Sequence, residues 1–375
     1  MNEVFRSNVN RIKAITHGTA RDSAVLSVHT LATRTLETML RPRAGDKVLL
    51  ITDAPADATL SGAVKEGRLR MLARWKAAFD EMSVPVAGIL VYPQTTGHGA
   101  PLPDQGSLIK SSGRVQEGVQ VRNALETGVI HIAMTEFSAT APLKLANDGT
   151  RRIVSMPGVT EEMEPAMAAD YEGISKRARE IISSLSDSKI LRVEFTITNG
   201  TERHILDVDV GGRIFHVDDG VCTEPGNLIN FPSGEVYIAP YEGIEGDPSK
   251  TNGNIPLFLD ATSNAFVILS IFGNKIQTGS GIVLPQKMAQ ELARKPDNGN
   301  LAEFAVGLNP NARTAPDTHV LEREKALGFH LAYGISAHLG GTVGPNTADV
   351  HQDVVYPIAD QRVTIKVNGR SLHQL

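Results

Sequence analysis

Short apolar runs and amphipathic segments alternate along the first half of the chain, and this alternation constrains the fold more than any other feature. The runs KVLLITD (47–53) and VPVAGILVYP (84–93) are rich in branched residues, which predicts buried strands. Residues 61–82 between them have the apolar spacing of an amphipathic helix. Strand, helix and strand at this spacing predict a mostly parallel sheet with helices on both faces.

The same pattern continues towards residue 185. Further strands are expected at 128–136 and 151–157, and a loop rich in glycine and proline is expected at 93–106. The other expected helices span residues 20–41, 114–127 and 160–185. Neither a GxGxxG segment nor a P-loop follows any of these strands, so the sequence does not support nucleotide or dinucleotide binding.

The pattern changes near residue 190. The segment LRVEFTITNGTERHILDVDVGGRIFHVDDG (191–220) contains strand-like runs separated by Asn-Gly and Gly-Gly turns, which are typical of hairpins. Further strands are expected at 235–240, 256–262, 265–276 and 363–369. We therefore expect an α/β domain over residues 1–189 and a β-rich α+β domain over residues 190–375.

The composition is that of an ordinary globular protein. Of the 375 residues, 41% are apolar and 21% are charged, and the formal net charge is -5. Because no basic stripe is present, nucleic acid and anionic membranes are poor partners. Cys222 is the only cysteine, which excludes a disulfide framework and a cysteine-based zinc cluster. The N-terminal segment has no apolar targeting region, and we expect a cytoplasmic protein.

His351 and Asp353 lie in the strand-like segment VHQDVVYPI. Residues two apart on a strand share a face, so the imidazole and the carboxylate point the same way and could chelate one cation. The alternative is a hydrogen-bonded pair on a solvated strand face.

Three more residues of the second half suit a metal site. Glu303 is a single carboxylate among apolar residues, and Glu235 follows a Pro-Ser-Gly turn at the start of an expected strand. A buried carboxylate needs a cation, a proton or hydrogen-bond donors nearby. His330 lies among apolar and small residues, where a lone histidine is usually a core residue. Carboxylates and imidazoles without cysteine suit zinc, manganese, iron or cobalt, and five such ligands are enough for two metals that clamp a bridging water.

Other residues are weaker candidates. Tyr333 and His338 follow His330 and could donate protons. The charge run 322–325 is typical of a solvated helix or turn. Glu136 lies near the carboxyl end of an expected strand, where open α/β sheets bind ligands.

Four segments of the second half, in order, resemble segments of the aminopeptidase T and aminopeptidase S metallopeptidases. They are NFPSGEVYIAP (230–240), LAEFAVGLNPNA (301–312), EREKALGFHLAYG (322–334) and VHQD (350–353). The first half shares the α/β character of the family and shows a faint likeness at AMTEFSATAP (133–142).

This resemblance implies a metal-dependent enzyme that removes the N-terminal residue of a short peptide, with a small molecule as the other possible substrate. It implies two zinc, cobalt or manganese ions per chain in the second domain and a homodimer that encloses a cavity. The metal ligands would be Glu235, Glu303, His330, His351 and Asp353, and the candidate catalytic residues are Glu303, Tyr333 and His338.

The sequence departs from the family at one position and also resembles a related branch. The family has a tyrosine seven residues after the first histidine, where this chain has Ala337. The segment SAHLGGTVGPNTADVHQD (336–353) is also similar to iron-dependent dioxygenases that open dihydroxypyridine rings. Those enzymes use one Fe(II) held by two histidines and a carboxylate, and they have a histidine where this chain has Glu303. The hydrolase is the favoured function, and the dioxygenase is the alternative.

Overall fold

The computed structural model describes residues 1–17, 32–33, 35–58, 62–198, 202–260, 263–315 and 317–375. The chain divides into two units, of which the first contains Met1–Tyr171 and Gly220–Ser233. The second contains Glu172–Asp219 and Gly234–Leu375. Helices and parallel strands dominate the first unit, and antiparallel strands dominate the second, so the chain has a mixed α/β fold.

The bounds of the elements are as follows. The helices are α1 (Glu3–His17), α2 (Ala63–Glu81), α3 (Val121–Ala124), α4 (Thr140–Ala146), α5 (Glu164–Met167), α6 (Tyr171–Leu185), α7 (Gln286–Arg294) and α8 (Val320–Lys325). The strands are β1 (Val48–Ala54), β2 (Val86–Pro93), β3 (Gln105–Lys110), β4 (Val115–Gln120), β5 (Ile130–Met134), β6 (Arg152–Ser155), β7 (Ile190–Ile197), β8 (Arg203–Asp209), β9 (His216–Asp218), β10 (Leu228–Asn230), β11 (Glu235–Ile238), β12 (Asn252–Phe258), β13 (Phe266–Phe272), β14 (Lys275–Ile276), β15 (Leu301–Gly307), β16 (Gly328–Gly334), β17 (His351–Pro357), β18 (Val363–Val367) and β19 (Arg370–Ser371).

The first unit contains one seven-stranded sheet, in the order β10-β6-β5-β1-β2-β3-β4. The strands from β10 to β2 are parallel, and β3 and β4 are antiparallel additions at the edge beside β2. Every residue of β1 and β5 is buried, as expected for central strands of a parallel sheet covered on both faces. The expected strands at 47–53, 84–93, 128–136 and 151–157 are present as β1, β2, β5 and β6.

Helix α2 shows why the amphipathic pattern predicted its position. Leu69, Leu72, Trp75 and Phe79 recur at helical spacing, and each is at most 1% exposed. The helix ends before Ser83, which adopts a left-handed φ of 57°. Among the described residues, no helix combines the length and the apolar content that crossing a membrane requires.

Two of the expected helices take another form. Residues 114–127 form β4 and the short α3, because β4 pairs with β3 and Gly118 adopts a φ of 65°, which no α-helix contains. The expected helix at 160–185 is divided into a one-turn 3-10 helix, α5 and α6. Of the expected helix at 20–41, residues 32, 33 and 35–40 are helical, and residues 20–31 and 34 lie outside the described part of the chain.

The second unit contains two antiparallel sheets. A seven-stranded sheet has the order β14-β13-β12-β8-β7-β18-β19, and a five-stranded sheet has the order β17-β16-β15-β11-β9. Phe195 of the larger sheet contacts Phe329 and Tyr356 of the smaller one, with ring centroids 5.9 and 5.3 Å apart. One face of the five-stranded sheet is therefore buried in an aromatic core, and the opposite face takes no part in these aromatic contacts.

Candidate metal centre

The face of the five-stranded sheet opposite the aromatic core gathers titratable side chains from several strands. Residues that pair across antiparallel strands point to the same face. Ala332 pairs with both Glu303 and Asp353. The same face receives the other predicted ligands through the pairs Glu235–Gly307, Ala305–His330 and Gly334–His351. All five predicted ligands thus share one face of one sheet.

Small residues lie between these side chains. Ala305, Ala332 and Gly334 occupy the positions among the long side chains. Gly307 lies under the end of α8, where a Cβ atom would overlap the carbonyl oxygen of Ala326. The helix backbone therefore approaches the sheet more closely than any side chain at this position would permit.

The first group of possible ligands is Glu235, Glu303 and His330. His330 Nε2 lies 3.4 Å from Glu235 Oε2 and 3.9 Å from Glu303 Oε1. One ligand atom from each residue lies within 4.8 Å of the others. Three ligand atoms this close together could hold one cation.

The second group is Glu303, His351 and Asp353, so the two groups share Glu303. His351 Nε2 lies 3.3 Å from Glu303 Oε2 and 3.8 Å from Asp353 Oδ1. The other ring nitrogen, Nδ1, lies 2.7 Å from the carbonyl oxygen of Ile335. A proton on Nδ1 that is donated to this oxygen leaves the lone pair of Nε2 for a metal.

Two buried carboxylate oxygens of the cluster have no hydrogen bond. Glu235 Oε2 and Asp353 Oδ1 are shielded from solvent and accept no hydrogen bond from any described residue. Glu235 and Glu303 are each 5% exposed. Burying an ionised carboxylate without a partner is costly, and a divalent cation coordinated by these oxygens would remove that cost. The residues present therefore fit a metal.

The protonation states of Glu303 and His351 depend on the contacts among the side chains of the cluster. Burial alone would raise the pKa of Glu303, but the hydrogen bond with His351 and the charges of His330 and His351 lower it to about 2. Burial alone would lower the pKa of His351, but Glu303 and Asp353 raise it to about 10. Without a metal, the ring of His351 is thus protonated on both nitrogens, and a metal ion would have to displace the proton on Nε2.

Lys325 belongs to the same cluster, and the sequence did not indicate it. The charge run 322–325 was expected to be solvated, but Lys325 is 1% exposed and Glu322 is fully buried. The ammonium of Lys325 donates a hydrogen bond to Glu235 Oε1. Burial alone would lower the pKa of Lys325, but Glu235, Glu324 and Asp218 raise it well above its ordinary value.

The two predicted proton donors lie in different places. Tyr333 lies between Ala332 and Gly334, which both belong to the ligand face. Its hydroxyl donates a hydrogen bond to Glu291 Oε2 at 2.7 Å. Tyr333 therefore lies on the opposite face from the ligands, because successive residues of a strand alternate between faces. His338 lies in the one-turn 3-10 helix Ala337–Leu339, and its ring centroid is 4.8 Å from that of His351.

Glu242 fixes the loop that carries His338, and its sequence neighbourhood did not indicate this role. Its carboxylate accepts hydrogen bonds from Thr342 N and Oγ1 at 2.6 and 2.5 Å, from Ser336 Oγ, and from Asn300 Nδ2 at 3.1 Å. Arg213 also contacts it at 3.1 Å. Burial alone would raise the pKa of Glu242, but these hydrogen bonds lower it below its ordinary value. Donors far apart in the sequence therefore converge on one carboxylate.

Glu136, the candidate of the first unit, takes part in an ion pair. Arg68, which is 1% exposed, donates to Glu136 Oε2 at 2.7 Å and lies 3.3 Å from Asp53 Oδ1. Burial raises the pKa of Asp53, and the charge of Arg68 opposes that effect. These contacts connect α2 to the carboxyl ends of β1 and β5 and are sufficient to explain the position of Glu136.

Comparisons with known proteins identify the fold. No protein-family model matches the chain, and no curated protein matches its sequence. The structure of 2,5-dihydroxypyridine dioxygenase from Pseudomonas putida KT2440 is similar, with a TM-score of 0.65 and 15% sequence identity over 92% of this chain and 95% of that one. AmpT from Thermus thermophilus is similar with a TM-score of 0.50 and 15% identity, over 91% of this chain and 94% of that one. The chain shares the fold of these two proteins.

Proposed function

We propose that the cluster binds two divalent metal ions and that the chain is a metal-dependent hydrolase of the aminopeptidase type. The observation that carries this proposal is the position of Glu303. Its two oxygens face different imidazoles, and the two groups of possible ligands meet only at this carboxylate. A carboxylate shared between two ligand groups suits a pair of metals that clamp a water between them.

The side chains would have distinct tasks. Glu235 and His330 would hold one ion, His351 and Asp353 the other, and Glu303 would bridge them. When bound, such a pair polarises a carbonyl oxygen and lowers the pKa of a bridging water. His338 lies beside His351 and is the imidazole that we propose transfers a proton to the leaving amine.

The proposed substrate is a short peptide or a related small amide. This choice is supported by the fold, which the chain shares with the aminopeptidase AmpT. The ligand set is compatible with this choice, because carboxylates and imidazoles suit zinc, cobalt and manganese as well as iron. Assembly into a homodimer stays a prediction.

The second candidate is a ring-cleaving dioxygenase that uses one Fe(II). The TM-score of 0.65 with 2,5-dihydroxypyridine dioxygenase favours it. Such chemistry requires two imidazoles and one carboxylate around a single ion. Here the two imidazoles belong to different ligand groups, and each group contains two carboxylates. The arrangement of ligands therefore favours the hydrolase.

Metal analysis followed by a substrate screen tests the proposal. Purified protein is stripped with a chelator and reconstituted separately with Zn²⁺, Co²⁺, Mn²⁺ and, without oxygen, Fe²⁺. For a hydrolase we expect about two ions per chain and release of the N-terminal residue from dipeptides. A single bound iron, with oxygen uptake on 2,5-dihydroxypyridine and no peptide cleavage, would establish the dioxygenase instead.

A further inference from the structure

Lys325 is a cation built into the carboxylate cluster. It is the last residue of α8, and its ammonium contacts three carboxylates. It donates a hydrogen bond to Glu235 Oε1, and it lies 3.1 Å from Glu324 Oε1 and 3.6 Å from Asp218 Oδ2. At 1% exposure, the ammonium has these carboxylates in place of water.

The backbone and a second ion pair hold Lys325 in this position. Its carbonyl oxygen accepts a hydrogen bond from Asn309 N at 2.8 Å. Glu322, one turn earlier, is fully buried and pairs with Arg313 at 2.9 Å. The close approach of the helix end to Gly307 leaves little room for α8 to shift along the sheet. The lysine is thus fixed at both its backbone and its charged end.

The contact between Lys325 and Glu235 leaves the two ligand groups with different numbers of oxygens for a metal ion. Glu235 gives one oxygen to Lys325, so only Oε2, which lies 3.4 Å from His330 Nε2, stays available to an ion. The fixed positive charge is also adjacent to that ion's position. In contrast, no lysine or arginine of the described chain forms an ion pair with Glu303 or Asp353.

We propose that Lys325 makes the two metal positions differ in affinity, with weak binding at Glu235–His330 and tight binding at His351–Asp353. This inference rests on the proposed function, because it presupposes that both positions bind ions. A fixed ammonium repels a nearby dication and leaves it fewer ligand oxygens. It also balances part of the negative charge of the cluster when the weak position is vacant.

Calorimetric titration of stripped protein with Zn²⁺ tests the inference without measuring catalysis. In the wild-type protein we expect two binding steps whose dissociation constants differ at least about ten-fold. In Lys325→Met the weaker step should tighten at least about ten-fold, because the competing charge is gone. Lys366→Met, which removes an exposed lysine of β18, is the matched control and should leave both steps unchanged.

Glu235→Gln assigns the steps and covers the case in which Lys325→Met does not fold. It should abolish the weak step and leave the tight step within about three-fold of the wild type. Two wild-type steps of equal affinity would overturn the inference, as would loss of the tight step in Glu235→Gln. Unchanged steps in a folded Lys325→Met protein would overturn it as well. Absence of any Zn²⁺ binding by the wild-type protein would overturn the proposed function itself.

Discussion

Glu303 Oε2 lies 3.3 Å from His351 Nε2, while the other oxygen of the same carboxylate faces His330. Both ligand groups depend on this one side chain. A change at Glu303 should therefore affect both metal positions, whereas a change at any other ligand should affect one.

The first prediction concerns Glu303→Gln. An amide has a similar shape but lacks the negative charge that would bridge two cations, so bound metal should fall from about two ions per chain to below one. Peptide cleavage should fall at least about 100-fold. Elemental analysis and a dipeptide assay measure the two effects. Glu245→Gln, at an exposed position of the same unit, is the control and should retain both metal and activity. Full metal content in Glu303→Gln would contradict the shared-ligand arrangement.

Metal removal should destabilise the second unit. Without a cation, Glu235 Oε2 and Asp353 Oδ1 are buried and accept no hydrogen bond from the described residues. A ligand present at a hundred times its dissociation constant stabilises a folded protein by about 2.7 kcal/mol. Differential scanning calorimetry should show a lower unfolding temperature after chelation and recovery on addition of Zn²⁺. The Glu303→Gln protein should show little response to Zn²⁺, and an equal response would mean that the ion binds elsewhere.

Glu242→Ala should loosen the loop that carries His338. The substitution leaves the donors of Asn300, Ser336 and Thr342 without their shared acceptor, at a cost of about 2 to 4 kcal/mol in the free energy of unfolding. Hydrogen exchange should accelerate at residues 336–343, and dipeptide cleavage should decrease because the ring of His338 loses its place beside His351. Unchanged exchange in this loop would show that Glu242 does not fix it.

The first unit should lose stability in mild acid because of His131. Burial, assisted by the charge of Arg151, lowers the pKa of His131 from 6.5 to about 4, so the folded state holds the neutral ring. In the unfolded chain the ring takes up a proton near pH 6.5, whereas in the folded protein it does so only near pH 4. The free energy of unfolding is therefore highest above pH 6.5 and decreases as the pH falls towards 4. Between pH 7 and pH 5 this loss amounts to about 2 kcal/mol.

Urea unfolding followed by the fluorescence of Trp75 measures this effect, because Trp75 is the only tryptophan and lies in the first unit. In His131→Leu the difference between pH 7 and pH 5 should shrink by about 2 kcal/mol. His373→Leu, at an exposed position, should keep the wild-type difference. Equal pH dependence in the His131→Leu and wild-type proteins would refute the neutral buried ring.

The sequence was sufficient to predict four parallel strands of the first unit and the shared face of two ligands of the site in the second. Apolar runs predicted β1, β2, β5 and β6, and a residue spacing of two correctly placed His351 and Asp353 on one face. The segment 114–127 was misjudged because its residues favour a helix, whereas pairing with β3 determines its structure. Local propensity could not reveal that pairing.

Lys325 and Glu242 show why part of the site could not be predicted. A run of alternating charges is usually solvated, and the burial of Lys325 results from partners as distant in the chain as Glu235 and Asp218. Glu242 likewise receives its hydrogen bonds from residues 29 to 100 positions away. Side chains whose role depends on such distant partners have no signature in their own neighbourhood.

The contact between Gly307 and the end of α8 has a consequence for how this protein can change through mutation. Two stretches of backbone touch there, so this contact sets the height of the end of α8 above the sheet without involving a side chain. Exchanging a carboxylate for an imidazole on a neighbouring strand would alter the preference for one metal over another and leave that height intact. Adding a single methyl group at residue 307 would displace the ammonium for every set of ligands. The choice of metal thus depends on the ligand side chains, whereas the position of the end of α8 depends on the backbone contact at Gly307.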